Sequence, residues 1–385
     1  MGRKKTTWLV TLAPLSVMLL VWLVQFIYYE VYGSSIFNPV SLETWGVVSS
    51  GVFAFALGAI AASIFAGRRP IIPDIYLGPG FSRFKALCFS LALFVIAKNL
   101  LIPVLTGVGV SELRNQALDD WAAGGIGSRI SAILLNGLCC FIILIISRMY
   151  EQSRKLSFFW IAVFAVLCVA CFARTLLLIG MSIILLRVLL QGKNPLRMIV
   201  FSLLCFIIVF MILAWLMKDK ASGDTSLEEV LIHHLQIYFF GGVSGLNYYV
   251  MQDAPNYNSL LTVPRFLQVL LPIDLDLPPS FFDFVETPGT LNVFTSMFPP
   301  YHDFGIVGVV LFFIFYGFLS TTACIRFVKT NKASWQVAAG FLIYATTMTI
   351  FDDQFLRGLP VLLIFVFFAV IFDWMRRRFF DRALA

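Results

Sequence analysis

The sequence predicts an all-α polytopic membrane protein of about ten transmembrane helices, with both termini cytoplasmic and one large outward loop. Three observations predict it. Hydrophobic residues make up 60% of the 385 and charged residues only 13%, with a mean hydropathy of +0.90. Soluble domains average about 45–50% apolar and about 25% charged. So little polar surface cannot coat a water-soluble globule, which excludes a soluble enzyme, a disordered chain and a coiled coil. The second observation is a series of apolar runs near the roughly 20 residues that span a bilayer core of about 30 Å. The third is the sorting of basic residues onto alternate loops. A net charge of +7 then records cytoplasmic loop charge rather than an acidic partner such as nucleic acid.

The runs are Trp8–Tyr29, Trp45–Ala66, Phe84–Thr106, Ile130–Ser147, Ser157–Phe172, Thr175–Leu190, Met198–Met217, Phe304–Ile325, Trp335–Phe351 and Gly358–Met375. The first, second, ninth and tenth carry a Trp near an end, where its ring sits well at headgroup level. The first is too long for a signal peptide and lacks a small-residue cleavage site, so it reads as a retained helix. The fifth and sixth are short and separated only by Ala173 and Arg174. Fused, they would form a helix of 34 residues, about 51 Å at about 1.5 Å per residue. Split, they form a hairpin with Arg174 at its tip. The positive-inside rule chooses between the two. The hairpin places 20 Lys and Arg inside and 8 outside, whereas the fused helix gives 14 and 13 with Arg174 mid-membrane. Only Asp74, Glu151, Asp373 and Asp381 of the acids then lie inside, so the inner face carries +16 and the outer face −9.

The chain divides into helices one to seven over 1–217, a loop over 218–303, and helices eight to ten with a basic tail over 304–385. The inner loops are too short to hold a nucleotide-binding domain, and no phosphate-loop or dinucleotide glycine motif is present, which argues against ATP-driven transport. All seven cysteines fall within the runs, so no disulfide or zinc site is predicted. Cys168 and Cys171 read as small packing residues. The outward loop holds all three histidines, ten acids and eight of the sixteen prolines. Its first part, Leu227–Val250, has helical periodicity with Glu228 and Glu229 at its start, and could lie in the membrane interface. The rest, over 252–300, reads as ordered turns, too aromatic for a linker. A second outer loop, over 107–129, carries Arg114, Arg129 and a Gly124-Gly125-Ile126-Gly127 tract read as turn formers.

At residues 291–308 the sequence runs Leu-Asn-Val-Phe-Thr-Ser-Met-Phe-Pro-Pro-Tyr-His-Asp-Phe-Gly-Ile-Val-Gly, followed by an apolar helix. This resembles the O-antigen polymerase family of oligosaccharide repeat unit polymerases, in which an Asn-Val-Tyr-Thr-like stretch leads to a Tyr-x-Asp-Phe-Gly turn and the next membrane helix. Val263-Pro264-Arg265 is similar to that family's Pro-Arg element. Ala173-Arg174 is similar to its membrane-edge Gly-x-Arg element, with Phe172 and Ala173 where glycine is usual. Phe294 stands where Tyr is common, and His302 sits inside the turn. The similarity in motifs covers about 173–178 and 262–317.

The resemblance implies a GT-C-like, metal-independent membrane glycosyltransferase of the bacterial inner membrane with its active face in the periplasm. Its substrate would be an oligosaccharide repeat linked to undecaprenyl pyrophosphate, and no cofactor is expected. A flippase and a chain-length regulator of the same pathway are the implied partners. Developing charge on a pyrophosphate leaving group needs fixed cations, and the forked guanidinium of Arg suits it. The outer candidates are Arg174, Arg265, Arg114, Arg129 and Arg357, the last beside Asp352 and Asp353 and open to a local ion pair. An acceptor hydroxyl needs a general base, for which His302, Asp303 and Glu286 are candidates. Asp303 could instead cap the helix from Phe304 while His302 is solvated. Asn292 and Tyr301 are candidate sugar contacts, with Tyr248 and Tyr249 beside them. The alternative readings are an O-antigen ligase, or a lipid-linked glycan flippase or other transporter.

Overall fold

The computed structural model describes residues 2–33, 37–65, 80–108, 112–113, 126–153, 155–191, 227–252, 257–269, 276, 279, 282–286 and 290–380. The described chain is almost entirely helical, with six helices long and apolar enough to cross a membrane. They begin with α1 (Gly2–Tyr28), which ends in a wide turn at Tyr29–Gly33, and α2 (Leu42–Phe65). Helix α3 (Gly80–Ile96) continues through a wide turn at Ala97–Leu101 to Leu105, and α4 spans Ile126–Ser153. Two shorter helices follow, α5 (Phe158–Ala170) and α6 (Arg174–Gln191). Helix α7 (Leu227–Gln252) leads to a one-turn helix α8 (Arg265–Gln268) and a minimal hairpin of β1 (Val285–Glu286) and β2 (Thr290–Leu291). The long α9 (Phe298–Thr330), α10 (Ala333–Thr347), the single turn α11 (Gln354–Arg357) and α12 (Leu359–Met375) complete the chain. The seventh predicted run, Met198–Met217, and Arg114 lie outside the described residues.

The break between the fifth and sixth runs is built as a hairpin tip. Phe172 takes a left-handed φ of 51°. The Ala173 N–H donates to the Cys168 carbonyl at 2.9 Å, and the Phe172 N–H to the Val169 carbonyl at 3.0 Å. These two bonds close the orphan carbonyls of α5 in a Schellman pattern, so Arg174 opens a new helix instead of extending the old one.

The eighth run begins earlier than its hydropathy suggests. Pro299 and Pro300 sit in the first turn of α9, where a missing N–H costs nothing and the fixed φ suits a helix. Gly305 then interrupts the helix with φ 60° and ψ −151°, a backbone region open only to glycine. The chain folds sharply there, because a Cβ at Gly308 would stand 2.3 Å from the Pro300 carbonyl oxygen. His302 and Asp303 therefore belong to a short leading half-helix, and Asp303 does not cap a helix starting at Phe304.

Helices α2 and the straight part of α9 form the closest crossing. A Cβ on Gly58 would meet the Ile314 carbonyl at 2.0 Å, and one on Gly317 the Phe55 carbonyl at 2.1 Å. Glycine at both points lets the two backbones touch.

Two polar layers lie at opposite ends of the same helices. The one at the C-terminal ends of α4 and α6 is a buried clamp. Arg148 is 1% and Arg187 0% exposed, and both form ion pairs with Glu151. Arg148 Nη2 also donates to the Asn331 carbonyl at 3.1 Å, and Arg187 Nη2 to Gln336 Oε1 at 2.6 Å. Asn331 turns the chain between α9 and α10 with a left-handed φ of 51°. Its amide donates to Glu151 at 2.8 Å and its carbonyl group accepts from Arg187. Asp373 of α12 caps the start of α10, accepting from the Ala333 and Ser334 N–H groups at 3.0 and 3.1 Å. Helix α6 has 18 residues, so at about 1.5 Å per residue its two ends stand roughly 27 Å apart. The opposite layer carries the candidate residues.

Candidate functional site

Helix α7 forms one wall of this layer. Its Gly241–Leu246 stretch is buried, packed against protein. A Cβ on Gly242 would stand 2.1 Å from the Ile350 carbonyl, and one on Gly245 2.2 Å from the Val293 carbonyl. The Tyr29 hydroxyl donates to the Phe240 carbonyl at 2.6 Å. Asn247 ties α7 to the start of α2, accepting from the Ser41 N–H at 2.8 Å and the Thr44 hydroxyl at 2.9 Å.

Asp303 is the knot of the loop. One of its carboxylate oxygens accepts from the Leu261 N–H at 3.0 Å. The other accepts from the Thr262 N–H at 2.7 Å and the Thr262 hydroxyl at 2.5 Å. His302 Nδ1 lies 2.7 Å from Asp303 Oδ1, and His302 Nε2 accepts the Tyr257 N–H at 3.2 Å. The acceptor role of Nε2 assigns the proton to Nδ1, which donates to Asp303. Both side chains are shielded, at 5% and 0% exposure. With its lone pair so engaged, the His302 imidazole has none left for a substrate proton. In this arrangement the pair positions the loop.

Beyond His302 an aromatic chain runs to Arg357. Tyr257 meets His302 at 5.9 Å and Phe282 at 5.8 Å between ring centroids. The Tyr257 hydroxyl accepts from the Asp283 N–H at 3.0 Å, and burial raises its phenol above the ordinary range. The Arg357 guanidinium lies 4.7 Å over the Phe282 ring and forms an ion pair with Asp352 at 2.9 Å. Asp352 also accepts from the Gln354 amide at 3.1 Å. The Gln354 side-chain carbonyl accepts from the Tyr344 hydroxyl at 3.0 Å, and that hydroxyl lies near Thr175. The chain of contacts thus reaches the residue after Arg174.

The turn after α10 dips between the helices. Phe355 stacks on Tyr316 at 4.5 Å and meets Phe312 at 5.7 Å. Those rings lie about 10 to 16 Å along the axis beyond Gly305, at about 1.5 Å per residue. The stretch before α9 dips as well. A Cβ on Gly51 would meet both Met297 and Val309, at 2.8 and 3.2 Å. The two dipping segments join where the Ser296 N–H donates to the Thr349 carbonyl at 2.9 Å, under the Trp22 indole, which donates to the Thr349 hydroxyl at 3.2 Å. Asp353 sits in this recess at 1% exposure. Its Oδ1 caps α11, accepting from the Phe355 and Leu356 N–H groups at 3.1 Å each. Its Oδ2 is buried with no hydrogen-bond partner among the described residues. Burial pushes this carboxyl up to about 7, against the opposing pull of the two N–H groups and Arg357.

The geometry gathers His302, Asp303, Tyr301 and Arg357 at one end of the helices. Tyr301 is half-buried with its ring 6.2 Å from Tyr249, and Asn292 is half-buried just past β2. Arg129 stands exposed on the first turn of α4. The side chains of Arg174, Arg265 and Glu286, and of His233 and His234, lie outside the described residues. Their backbones place Arg174 at the start of α6, Arg265 at the start of α8 and Glu286 in the β1–β2 hairpin. Asp353 was masked in the sequence by its neighbours Asp352 and Arg357, which suggested one surface ion pair for all three. The six described cysteines are free thiols, and no group of three metal-ligating side chains occurs among the described residues. Compared with known protein families, curated proteins and solved structures, the chain matches none.

Proposed function

We propose that this chain is a membrane glycosyltransferase that polymerises oligosaccharide repeat units carried on undecaprenyl pyrophosphate, acting at the periplasmic face of a bacterial inner membrane. One observation carries the reading. Asp303 of the Tyr-His-Asp-Phe-Gly turn accepts both N–H groups of Leu261 and Thr262, immediately before Val263-Pro264-Arg265. Two segments that resemble polymerase motifs, some 40 residues apart in sequence, are bound to each other at one end of an apolar helical body. In support, contacts from Arg357 through Asp352, Gln354 and Tyr344 run toward Thr175 of the third such segment.

Arg174 and Arg265 hold the pyrophosphate in this reading, since a leaving group gathering negative charge needs guanidinium groups beside it. Arg357 is a weaker holder, because Asp352 already neutralises it and Phe282 stacks beneath it. It docks the loop instead. The half-buried rings of Tyr301, Tyr249 and Tyr257 offer stacking faces to sugar, and Asn292 an amide. The polyprenyl chain runs along the exposed apolar faces of the helices, such as Phe304, Val307 and Leu311 of α9.

The test is addition of extracted lipid-linked repeat units to the purified protein in lipid vesicles. The reading requires a ladder of longer glycans. Glycan transferred to lipid A core without chain growth would identify a ligase, and movement across the bilayer without growth a transporter.

A further inference from the structure

We propose that Asp353 takes the proton from the acceptor sugar hydroxyl in this transfer; the inference rests on the polymerase reading. The described outer carboxylates differ in what they already hold. Asp303 is saturated by Leu261, Thr262 and His302. Asp352 is paired with Arg357 and Gln354. Asp283 lies exposed beside the Tyr257 hydroxyl. Among the described carboxylates, Asp353 alone combines a shielded position with an oxygen that has no hydrogen-bond partner.

A buried polar oxygen without a partner keeps its full desolvation penalty, larger when it is charged. Folds retain such groups where a ligand or a chemical step uses them. The location fits the same role. Asp353 follows the short helical turn Met348–Ile350, whose Thr349 carbonyl accepts from the Ser296 N–H of the stretch before α9. An ionisable side chain buried inside a helical membrane protein marks a functional position. The groups facing Asp353 are Asp352 and Arg357 from its own turn, the Tyr316 hydroxyl from α9, and Tyr344 of α10 through Gln354 and Asp352. None of these hydrogen-bonds to Oδ2. Oδ1 holds α11 in place while Oδ2 is left for proton transfer, so one residue both shapes the turn and does the chemistry.

The step balances without a co-reactant. The acceptor hydroxyl oxygen forms a bond to the anomeric carbon of the donor chain. The bond from that carbon to the pyrophosphate oxygen breaks, and its electron pair leaves on undecaprenyl pyrophosphate. The hydroxyl proton passes to Asp353 Oδ2 and from there to water. A carboxyl whose burial lifts it toward neutrality is suited to accept and release that proton.

The experiment compares wild type with Asp353→Asn in vesicles supplied with undecaprenyl-pyrophosphate-linked repeat units extracted from the parent cell's membranes. The Asn amide oxygen keeps the cap on α11 and removes the base. The expected result is a kcat lower by 100-fold or more, a KM within threefold of wild type, and loss of the rise in rate between about pH 6 and 8. Asp353→Glu should recover part of the rate. If Asp353→Asn does not fold, Asp353→Ser, also a helix-capping residue, carries the same comparison. An infrared titration of the wild type adds an independent readout, and absence of a carboxyl band titrating between about pH 6 and 8 overturns the proposal. An Asn variant within threefold of wild-type kcat with an unchanged pH profile overturns this inference and leaves the polymerase reading standing. A wild type that makes no polymer overturns both.

Discussion

Glu151 is the one acid in a buried clamp with two arginines, and its removal tests how this membrane body is held together. Glu151→Gln keeps shape and hydrogen-bonding capacity but deletes the charge. Arg148 and Arg187, at 1% and 0% exposure, would then face each other across the clamp without the carboxylate that pairs with both. Removing one partner of a buried ion pair typically costs about 3–5 kcal/mol. The upper half of that range applies here, because one carboxylate compensates both guanidinium groups and also accepts from Asn331 and Gln191. At about 2–4 °C per kcal/mol, the apparent melting midpoint in detergent should fall by on the order of 10 °C. The double variant Glu151→Gln with Arg187→Gln should lose less than the sum of the two single variants, by about 0.5–3 kcal/mol. A Glu151→Gln midpoint within about 1 °C of wild type would refute the reasoning. The clamp joins α4, α6 and the α9–α10 turn.

Arg174→Ala and Arg265→Ala should each abolish chain growth while the protein still inserts and melts normally. Arg174→Lys should recover less activity than charge alone predicts, because the bidentate fork is lost; long polymer from both alanine variants would refute these assignments. Asp303→Ala should release the Leu261–Thr262 turn, lowering amide protection there by at least tenfold in hydrogen exchange and abolishing chain growth. Unchanged protection would contradict its positioning role. Asp353 makes stability fall with rising pH. Its folded-state value of about 7 exceeds the ordinary 3.8, so the folded chain holds the proton more tightly than the unfolded one. Its contribution is therefore greatest below about pH 4 and is lost progressively up to about pH 7. Asp353→Asn should flatten that part of the melting-midpoint profile; an unchanged slope would contradict it.

The helices were legible because hydropathy and charge are local quantities. Charge counting alone split the fifth and sixth runs at Ala173 and Arg174, and the Schellman turn at Phe172 is the local geometry that does it. The start of α9 was legible in principle, since Pro299 and Pro300 fit a first helical turn, but a Pro pair in an apolar stretch also reads as a breaker. The clamp was not legible. Arg148, Glu151 and Arg187 look like ordinary inner-end charges, and only the fold brings them to Asn331, 144 positions after Arg187. His302 and Asp303 stood out by type. Their partners Tyr257, Leu261 and Thr262 lie 41 to 45 positions earlier and turn a suspected base into a positioning pair. Asp353 was hidden for the opposite reason, because its sequence neighbours supplied an apparent partner, Arg357, whose ion pair goes to Asp352.

Polymerisation means that the chain lengthens glycans on a lipid carrier. The decisive measurement is gel analysis of products from the purified wild type in vesicles, supplied only with undecaprenyl-pyrophosphate-linked repeat units. The expected product is a ladder spaced by one repeat unit, with undecaprenyl pyrophosphate released in proportion to the bonds formed. Single repeats left on their lipid, with no undecaprenyl pyrophosphate released, would contradict it.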